Sequence, residues 1–225
     1  MTAIFVTGTG TGIGKTFVTA ALIRYLRAEG RAVDAIKPVI SGFDSAAAGT
    51  SDPGVLLGAL GRPITMAEIE RISPWRFAAP LSPDLAAARE GRAIDFNDLT
   101  AFSRRAAMAV RGTLFIEGVG GAMVPLDQSR TVLDWMTALR LPVLLVGGSY
   151  LGTISHTLSA LHVIAQRNLD IAAVVVSESE VPGASLDDTV ATIARFVDPL
   201  EVIAVPRLPP DGAPHPAFGR IAALL

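Results

Sequence analysis

The chain has no cysteine, which removes disulfides, thiolate metal sites and any cysteine nucleophile. Lysine is almost as scarce: of 19 basic residues only Lys15 and Lys37 are lysine, and the rest are arginine. Charged residues make up 18% of the 225 positions against 50% hydrophobic, so a substantial buried core is expected. The formal net charge of −2 leaves no electrostatic footprint for nucleic acid, and no basic run suits an anionic membrane surface. Long apolar runs are missing too. Segments such as 141–148 and 171–176 are far too short to span a bilayer, and the opening residues lack the basic and apolar regions of a signal peptide. The expectation is a soluble cytoplasmic protein, without nucleic-acid or membrane partners, whose length suits one large domain over 1–225.

Short apolar runs alternate with longer amphipathic ones, the pattern of an α/β fold with a mostly parallel sheet and helices on both faces. Strands are expected at 3–7, 32–37, 113–117, 142–146, 171–177 and 201–205, their near-continuous apolar character suiting burial on both sides. Helices are expected at 15–29, 95–111, 131–139, 153–167 and 186–196. Asp95 stands three residues before Asp98 and is placed to cap its helix. Residues 42–94 are rich in Gly, Pro and Ala and break the rhythm; they read as a loop-rich excursion over the carboxyl edge of the sheet, where open α/β folds place ligands. The tail 206–216 holds five prolines and reads as a loop.

The two lysines mark sites where a compact ammonium serves and a planar guanidinium does not. Lys15 closes Gly8-Thr9-Gly10-Thr11-Gly12-Ile13-Gly14-Lys15-Thr16, directly after a strand and before a helix. This arrangement lets backbone amides and a helix N-terminus face phosphates while Lys15 reaches the outer ones and Thr16 ligates Mg²⁺. The fold expected is therefore P-loop NTPase-like, although five residues separate Gly8 from Gly14 where the usual pattern has four. Lys37 opens Lys37-Pro38-Val39-Ile40-Ser41-Gly42 after the second strand, so both lysines are placed to converge on one anion. The same glycines also fit a short-chain dehydrogenase, which needs a Tyr with a Lys four residues on. Tyr25 is followed there by Glu29 and Tyr150 by Ile154, so neither qualifies. A partition-type ATPase lysine is absent at Gly10, and the strand ending at Ser177 runs into Glu178-Ser179-Glu180, without the Asn-Lys-x-Asp that reads guanine.

Lys37-Pro38-Val39-Ile40-Ser41-Gly42, taken with Leu114-Phe115-Ile116-Glu117-Gly118-Val119-Gly120-Gly121, resembles the dethiobiotin synthetases. The likeness runs on through Pro74 to Pro83, Leu141 to Val146, and Leu151-Gly152-Thr153-Ile154-Ser155-His156, and covers most of the chain. The resemblance implies ATP-dependent closure of a ureido ring, in which 7,8-diaminopelargonate and CO₂ give dethiobiotin, ADP and phosphate. It implies Mg²⁺ held by Thr16, Asp52 and Glu117, and catalytic roles for Lys37 and Lys15. Nucleotide contacts carried over are Gly12, Ile13, Gly14, Lys15, Thr16, Phe17, Asp52, Glu117, Gly118, Val119, Gly120, Ser177, Glu178, Pro206, Arg207 and Leu208. Those to the diamine are Ser41, Thr11, Gly152, Thr153 and Ile154, the last three across a homodimer interface. Independently of the resemblance, Glu117 ends an apolar strand where a carboxylate completes a Mg²⁺ site, and the glycines after it bring bare amides close to an anion. Ser51-Asp52-Pro53, by contrast, reads as a helix cap. His156, flanked by Ile154, Leu158 and Leu161, reads as a structural histidine. A nucleotide-driven switch or scaffold of the same fold is the alternative from another class.

The chain departs from the family pattern in places. Ser177 stands where an Asn commonly recognises adenine and cannot supply the same donor–acceptor pair, which implies relaxed base selectivity. Ser155 replaces an Asn, Thr189 stands near the position of a tyrosine thought to hold the substrate carboxylate, and only Asp211 is close to the place of a ribose-binding acid. None of these touches the phosphate loop, Lys37 or Glu117.

Overall fold

The computed structural model describes residues 2–209 and 215–225. Its centre is a six-stranded sheet in the order β2-β5-β1-β6-β7-β8, formed by β1 (Thr2–Gly8), β2 (Val33–Ile36), β5 (Thr113–Glu117), β6 (Val143–Gly147), β7 (Ile171–Ser177) and β8 (Val202–Val205). Every pairing is parallel. Every residue of β5 and β6 is buried, so helices cover both faces, which parallel sheets with crossover helices require. Each expected strand and helix is present, with ends shifted by at most two residues.

Helix α1 (Lys15–Ala28) follows β1. It packs against α2 (Asp52–Ala59) and α9 (Pro216–Ala223). Beyond α3 (Met66–Ile72) and α4 (Pro83–Arg89), α5 (Phe96–Ala109) packs with α6 (Val132–Leu139), and α7 (Thr153–Gln166) with α8 (Leu186–Val197). Asp95 caps α5 by accepting hydrogen bonds from the Asn97 and Asp98 amides. Thr131 and Asp134 form a reciprocal capping box on α6. The core is dominated by aliphatic side chains around Trp135, whose indole meets Phe5 edge-on at 4.8 Å.

Residues 42–94 hold more regular structure than a loop-rich excursion: a 3₁₀ turn at Ser45–Thr50, the helices α2, α3 and α4, and strand β4 (Trp75–Phe77), which pairs with β3 (Val39–Ser41) in a separate two-stranded sheet. Composition hid these helices because each is short and begins at or beside a residue that also punctuates loops: Pro53 and Pro83 sit in the first turns of α2 and α4. Proline suits a first turn, whose amide has no partner to lose. Of the tail 206–216, read as a loop, residues 210–214 lie outside the described residues, 206–209 form neither helix nor strand, and Pro216 opens α9.

Candidate functional site

The order of strands places β1 between β5, whose neighbour is β2, and β6, which leads away to the other edge. A crevice opens at the carboxyl ends of the strands where the order reverses in this way, and the loop after β1 fills it. Residues Thr9–Gly14 turn tightly into α1. Gly12 and Gly14 have φ of 71° and 96°, a region L side chains rarely adopt. A Cβ on Gly14 would lie 2.6 Å from the Ser177 Oγ, and one on Gly8 2.6 Å from the Ile13 side chain. The glycines are therefore fixed by backbone shape and by close packing against the ends of neighbouring strands.

Lys15 and Lys37 line the same cleft of about 700 Å³, together with Thr11, Gly12, Gly14, Thr16, Phe17, Ser41, Asp52, Val119 and Gly120. Both are buried, Lys37 at 2% exposure. Lys37 occupies the two-residue gap between β2 and β3. Its amide donates to the Ile72 carbonyl at 3.1 Å, and its carbonyl accepts from the Ser73 hydroxyl, so the end of α3 clamps the backbone from which the side chain projects.

Around the Lys37 ammonium lies a buried polar cluster. Its Nζ donates to Glu117 Oε1 at 2.8 Å and to the Gly118 carbonyl at 3.0 Å, and stands 3.0 Å from Asp52 Oδ2. Thr16 Oγ1 donates to the same Glu117 oxygen at 2.7 Å. Glu117 is 0% exposed and its Oε2 has no hydrogen-bond partner. Burial lowers the Lys37 pKa, but the Glu117 and Asp52 carboxylates beside it outweigh that and hold it above the ordinary lysine value. Lys15 makes no such direct ion pair among the described residues. Burial, with the repulsion of Lys37 next, lowers it to about 8, although Glu117 and Asp52 pull the other way. Its ammonium donates to the Gly10 carbonyl at 2.6 Å. Burial would raise the Asp52 carboxyl; Lys37, then hydrogen bonding from Thr16, keeps it below the usual carboxylate range. Asp52 is also where the sequence read a cap, and both hold: Ser51 caps α2 by accepting from the Gly54 amide, which aims Asp52, the first helical residue, at Lys37.

The donor set fits a hard divalent cation. Two carboxylates and a hydroxyl converge, one buried carboxylate oxygen is unpartnered, and Mg²⁺ prefers one or two carboxylates completed by phosphate oxygens and water. Among the described residues no group of three or more His, Asp or Glu could hold a metal by itself. This set would therefore take its metal together with a phosphate ligand.

Several expected contacts sit differently. The Gly118 amide is not free for an anion, because it donates to the Val6 carbonyl at 2.9 Å and extends the β1–β5 pairing; Val119 and Gly120 do line the cleft. Gly121 is needed for packing, as a Cβ there would come within 3.2 Å of the Gly8 and Thr9 backbone. On the other flank, Ser177 abuts Gly14 and Glu178 accepts from the Arg207 amide at 2.9 Å. That bond ties the end of β7 to Pro206-Arg207-Leu208 and engages one Glu178 oxygen. Ile13, next to Gly14, packs onto the core from the loop. Asp211 lies outside the described residues.

Gly152, Thr153 and Ile154 do not reach the cleft. They line a separate groove of about 600 Å³ with Tyr150, Leu151, Leu158, Thr189 and Phe196. Thr153 is buried and donates to the Gly148 carbonyl at 2.7 Å, and Thr189 donates to the Ser185 carbonyl. His156 is exposed, against its reading as a structural histidine, and its Nδ1 shares a hydrogen bond of 2.9 Å with the Tyr150 hydroxyl. The sequence reading missed the far wall of the cleft, made by Ile40, Pro80, Leu81, Ser82, Pro83 and Val124. A Pro-Leu-Ser-Pro segment after a short strand was its only signal.

A family model described as an AAA domain matches residues 2–214. An ATP-dependent dethiobiotin synthetase of Methylobacterium nodulans is 50% identical over 226 residues, covering 97% of this chain and 97% of that one. One of a Caulobacter species, strain K31, is 49% identical over 208 residues, covering 92% and 89%. The chain belongs to the dethiobiotin synthetase family. It is accordingly an enzyme of the ligase class that forms carbon–nitrogen bonds, with a role in biotin biosynthesis. Among solved structures, the MinC:MinD cell-division complex of Aquifex aeolicus superposes at a TM-score of 0.57 with 15% identity, covering 100% of this chain and 94% of that chain. Chloroplast FtsY of Physcomitrella patens gives 0.56 with 16% identity, over 99% of this chain and 65% of that chain. These two likenesses bear on the fold, which is P-loop NTPase-like. Among the described residues no helix is long and apolar enough to cross a membrane.

Proposed function

We propose that the chain converts 7,8-diaminopelargonate, CO₂ and ATP to dethiobiotin, ADP and phosphate. The observation that carries this reading is the meeting of Lys37 and Lys15 in one buried cleft, beside a Ser41 hydroxyl that is buried without a partner. A hydrolytic switch needs one lysine for its nucleotide. Two ammonium groups and an unpartnered hydroxyl suit an enzyme that must also hold a second anion and an amine.

The chemistry balances without a protein nucleophile. One amine of the diamine adds to CO₂ and loses a proton, giving a carbamate. A carbamate oxygen attacks the γ-phosphorus and ADP leaves, forming a carbamic–phosphoric anhydride. The second amine attacks the carbamoyl carbon, phosphate departs, and loss of a proton completes the cyclic urea. Negative charge crowds the cleft throughout, so positioning and charge neutralisation are the protein's main contributions. Lys15 and the amides at the start of α1 hold the β- and γ-phosphates. Lys37 bridges carbamate and γ-phosphate oxygens, while Ser41 and Thr11 hold the diamine or its carbamate. Thr16, Glu117 and Asp52 would hold Mg²⁺, which would supply charge neutralisation at the phosphate oxygens. Phe17, Ser177 and the segment from Pro206 to Leu208 flank the base.

The chain acts as a homodimer in this reading. The groove at Gly152–Ile154 lies outside the cleft of its own chain, and Leu151 and Phe196, which line it, are exposed large apolar side chains. A second copy covering that face brings Gly152, Thr153 and Ile154 to the neighbouring cleft, against the hydrocarbon of the diamine.

The test is phosphate release from Mg²⁺ and ATP, with and without 7,8-diaminopelargonate plus bicarbonate, with the product weighed by mass spectrometry. Release that requires the diamine, with dethiobiotin formed in step, is the expected result. Hydrolysis indifferent to the diamine refutes the reading in favour of a nucleotide switch.

A further inference from the structure

Lys37 makes direct contact with both carboxylates of the proposed metal set, and the third member, Thr16, donates to the same Glu117 oxygen as Lys37 does. A divalent cation held by the unpartnered Glu117 Oε2, Asp52 and the Thr16 hydroxyl would stand directly beside the Lys37 ammonium on Glu117 Oε1, and the two cations repel at such range. Glu117 is fully buried and a buried carboxylate without a counterion is strongly disfavoured. Some cation must therefore stand beside it at every stage.

We propose that Lys37 is an exchangeable counterion for Glu117 and Asp52: it bridges them until a metal–nucleotide arrives, and the metal then displaces its ammonium toward the substrate anions. This rests on the reaction proposed above and specifies when Lys37 becomes available to it. Charge balance gives the exchange its direction. The charges of Lys15 and Lys37 cancel those of Glu117 and Asp52, so a bare divalent cation entering this buried cluster leaves an uncompensated double positive charge. A metal entering with a triphosphate brings net negative charge instead, and the phosphates receive both ammonium groups. The backbone bonds of Lys37 to Ile72 and Ser73 restrict the movement to the side chain. Its flexible four-carbon stem allows the swing, and Ser41 and Thr11 line the cleft into which it turns. Lys37 thus reaches the carbamate only when metal and nucleotide are in place, so the charge that promotes phosphoryl transfer is delivered after the donor is loaded.

Two measurements test the exchange, neither of them an activity. The first is Mn²⁺ binding without nucleotide, followed by electron paramagnetic resonance, in the wild-type protein and in Lys37→Met. The expected result is binding tighter in the variant by about tenfold or more, since the resident cation is gone, with Mn²⁺ also raising the melting temperature of the variant and not of the wild type. Equal affinities overturn the proposal. The second needs no variant to fold in order to be informative. The chain has two lysines, so ¹³Cε-lysine labelling of the wild-type protein gives two side-chain signals, distinguished because only Lys15 titrates near 8. The Lys37 signal should stay in place with Mg²⁺ alone and shift when Mg²⁺ is added with a non-hydrolysable ATP analogue. A Lys37 signal unmoved by that pair, in protein whose diamine-dependent phosphate release is intact, overturns the exchange and leaves the reaction standing. A shifted signal in protein with diamine-indifferent hydrolysis supports the exchange while refuting the reaction.

Discussion

Gly14→Ala isolates the requirement that shapes the phosphate loop. Gly14 has a φ of 96°, and an added Cβ would come 2.6 Å from the Ser177 Oγ and 3.0 Å from its Cβ. The backbone term alone costs about 1–2 kcal/mol for a residue with a Cβ. Overpacking against a buried strand end adds about 1–3 kcal/mol, and Ser177 can rotate its hydroxyl away but cannot move its Cβ. The sum is about 3 kcal/mol, and it must appear in one of two places. If the loop keeps its shape, the whole fold is destabilised and Tm falls by roughly 10 °C for a chain of this size. If the loop relaxes instead, nucleotide binding must restore it, and the Kd for Mg²⁺-ADP rises by about 100-fold. Differential scanning calorimetry and isothermal titration calorimetry on the same samples separate these outcomes. Adding Ser177→Gly removes the steric part and leaves the backbone part, so the double variant should recover about half of the loss, measured as a double-mutant cycle. A Gly14→Ala protein with unchanged Tm and unchanged Kd refutes the argument.

Lys37→Arg should keep Mg²⁺-ADP affinity within a factor of about three while turnover falls by roughly 100-fold or more, because a planar guanidinium cannot replace a point charge between two anions; full activity in steady-state assays refutes the reading of the two lysines. Thr16→Val removes the hydroxyl that donates to Glu117 at 2.7 Å, and the Mg²⁺ concentration for half-maximal rate should rise by about tenfold or more, as expected for a lost metal contact. Lys15 titrates at about 8 in the folded chain and at 10.5 in the unfolded one, so between those values the unfolded chain holds the extra proton and stability rises with pH. Phosphates should return that proton, so calorimetry near about pH 9 in buffers of differing ionisation enthalpy should show uptake of close to one proton per nucleotide bound, and zero uptake is the refuting result. With Ser177 offering no donor–acceptor pair for adenine, rates with ATP, CTP and GTP should fall within about tenfold of one another; a strong ATP preference counts against this.

Residue order by itself determined the elements that repeat a single rule. The six central strands were legible because burial on both faces demands uninterrupted apolar runs. Gly8 to Thr16 was legible because only a glycine-rich turn between strand and helix presents amides, an ammonium and a hydroxyl together. The scarcity of lysine then marked Lys37 as well. Residues 42–94 were not legible, since α2, α3 and α4 are too short for periodicity to show and take their stability from packing on α1 and the small β3–β4 sheet. Glu117 illustrates the division most clearly. The chain shows a carboxylate at a strand end, a position that in isolation reads as a solvated charge. Its full burial, its bonds to Thr16 and Lys37 from 101 and 80 residues away, and its unpartnered second oxygen exist only because β5 is inserted between β1 and β2. Strand order is a property of non-local pairing and crossover packing. Local sequence encodes which segments form strands, and the tertiary structure decides which strand ends meet.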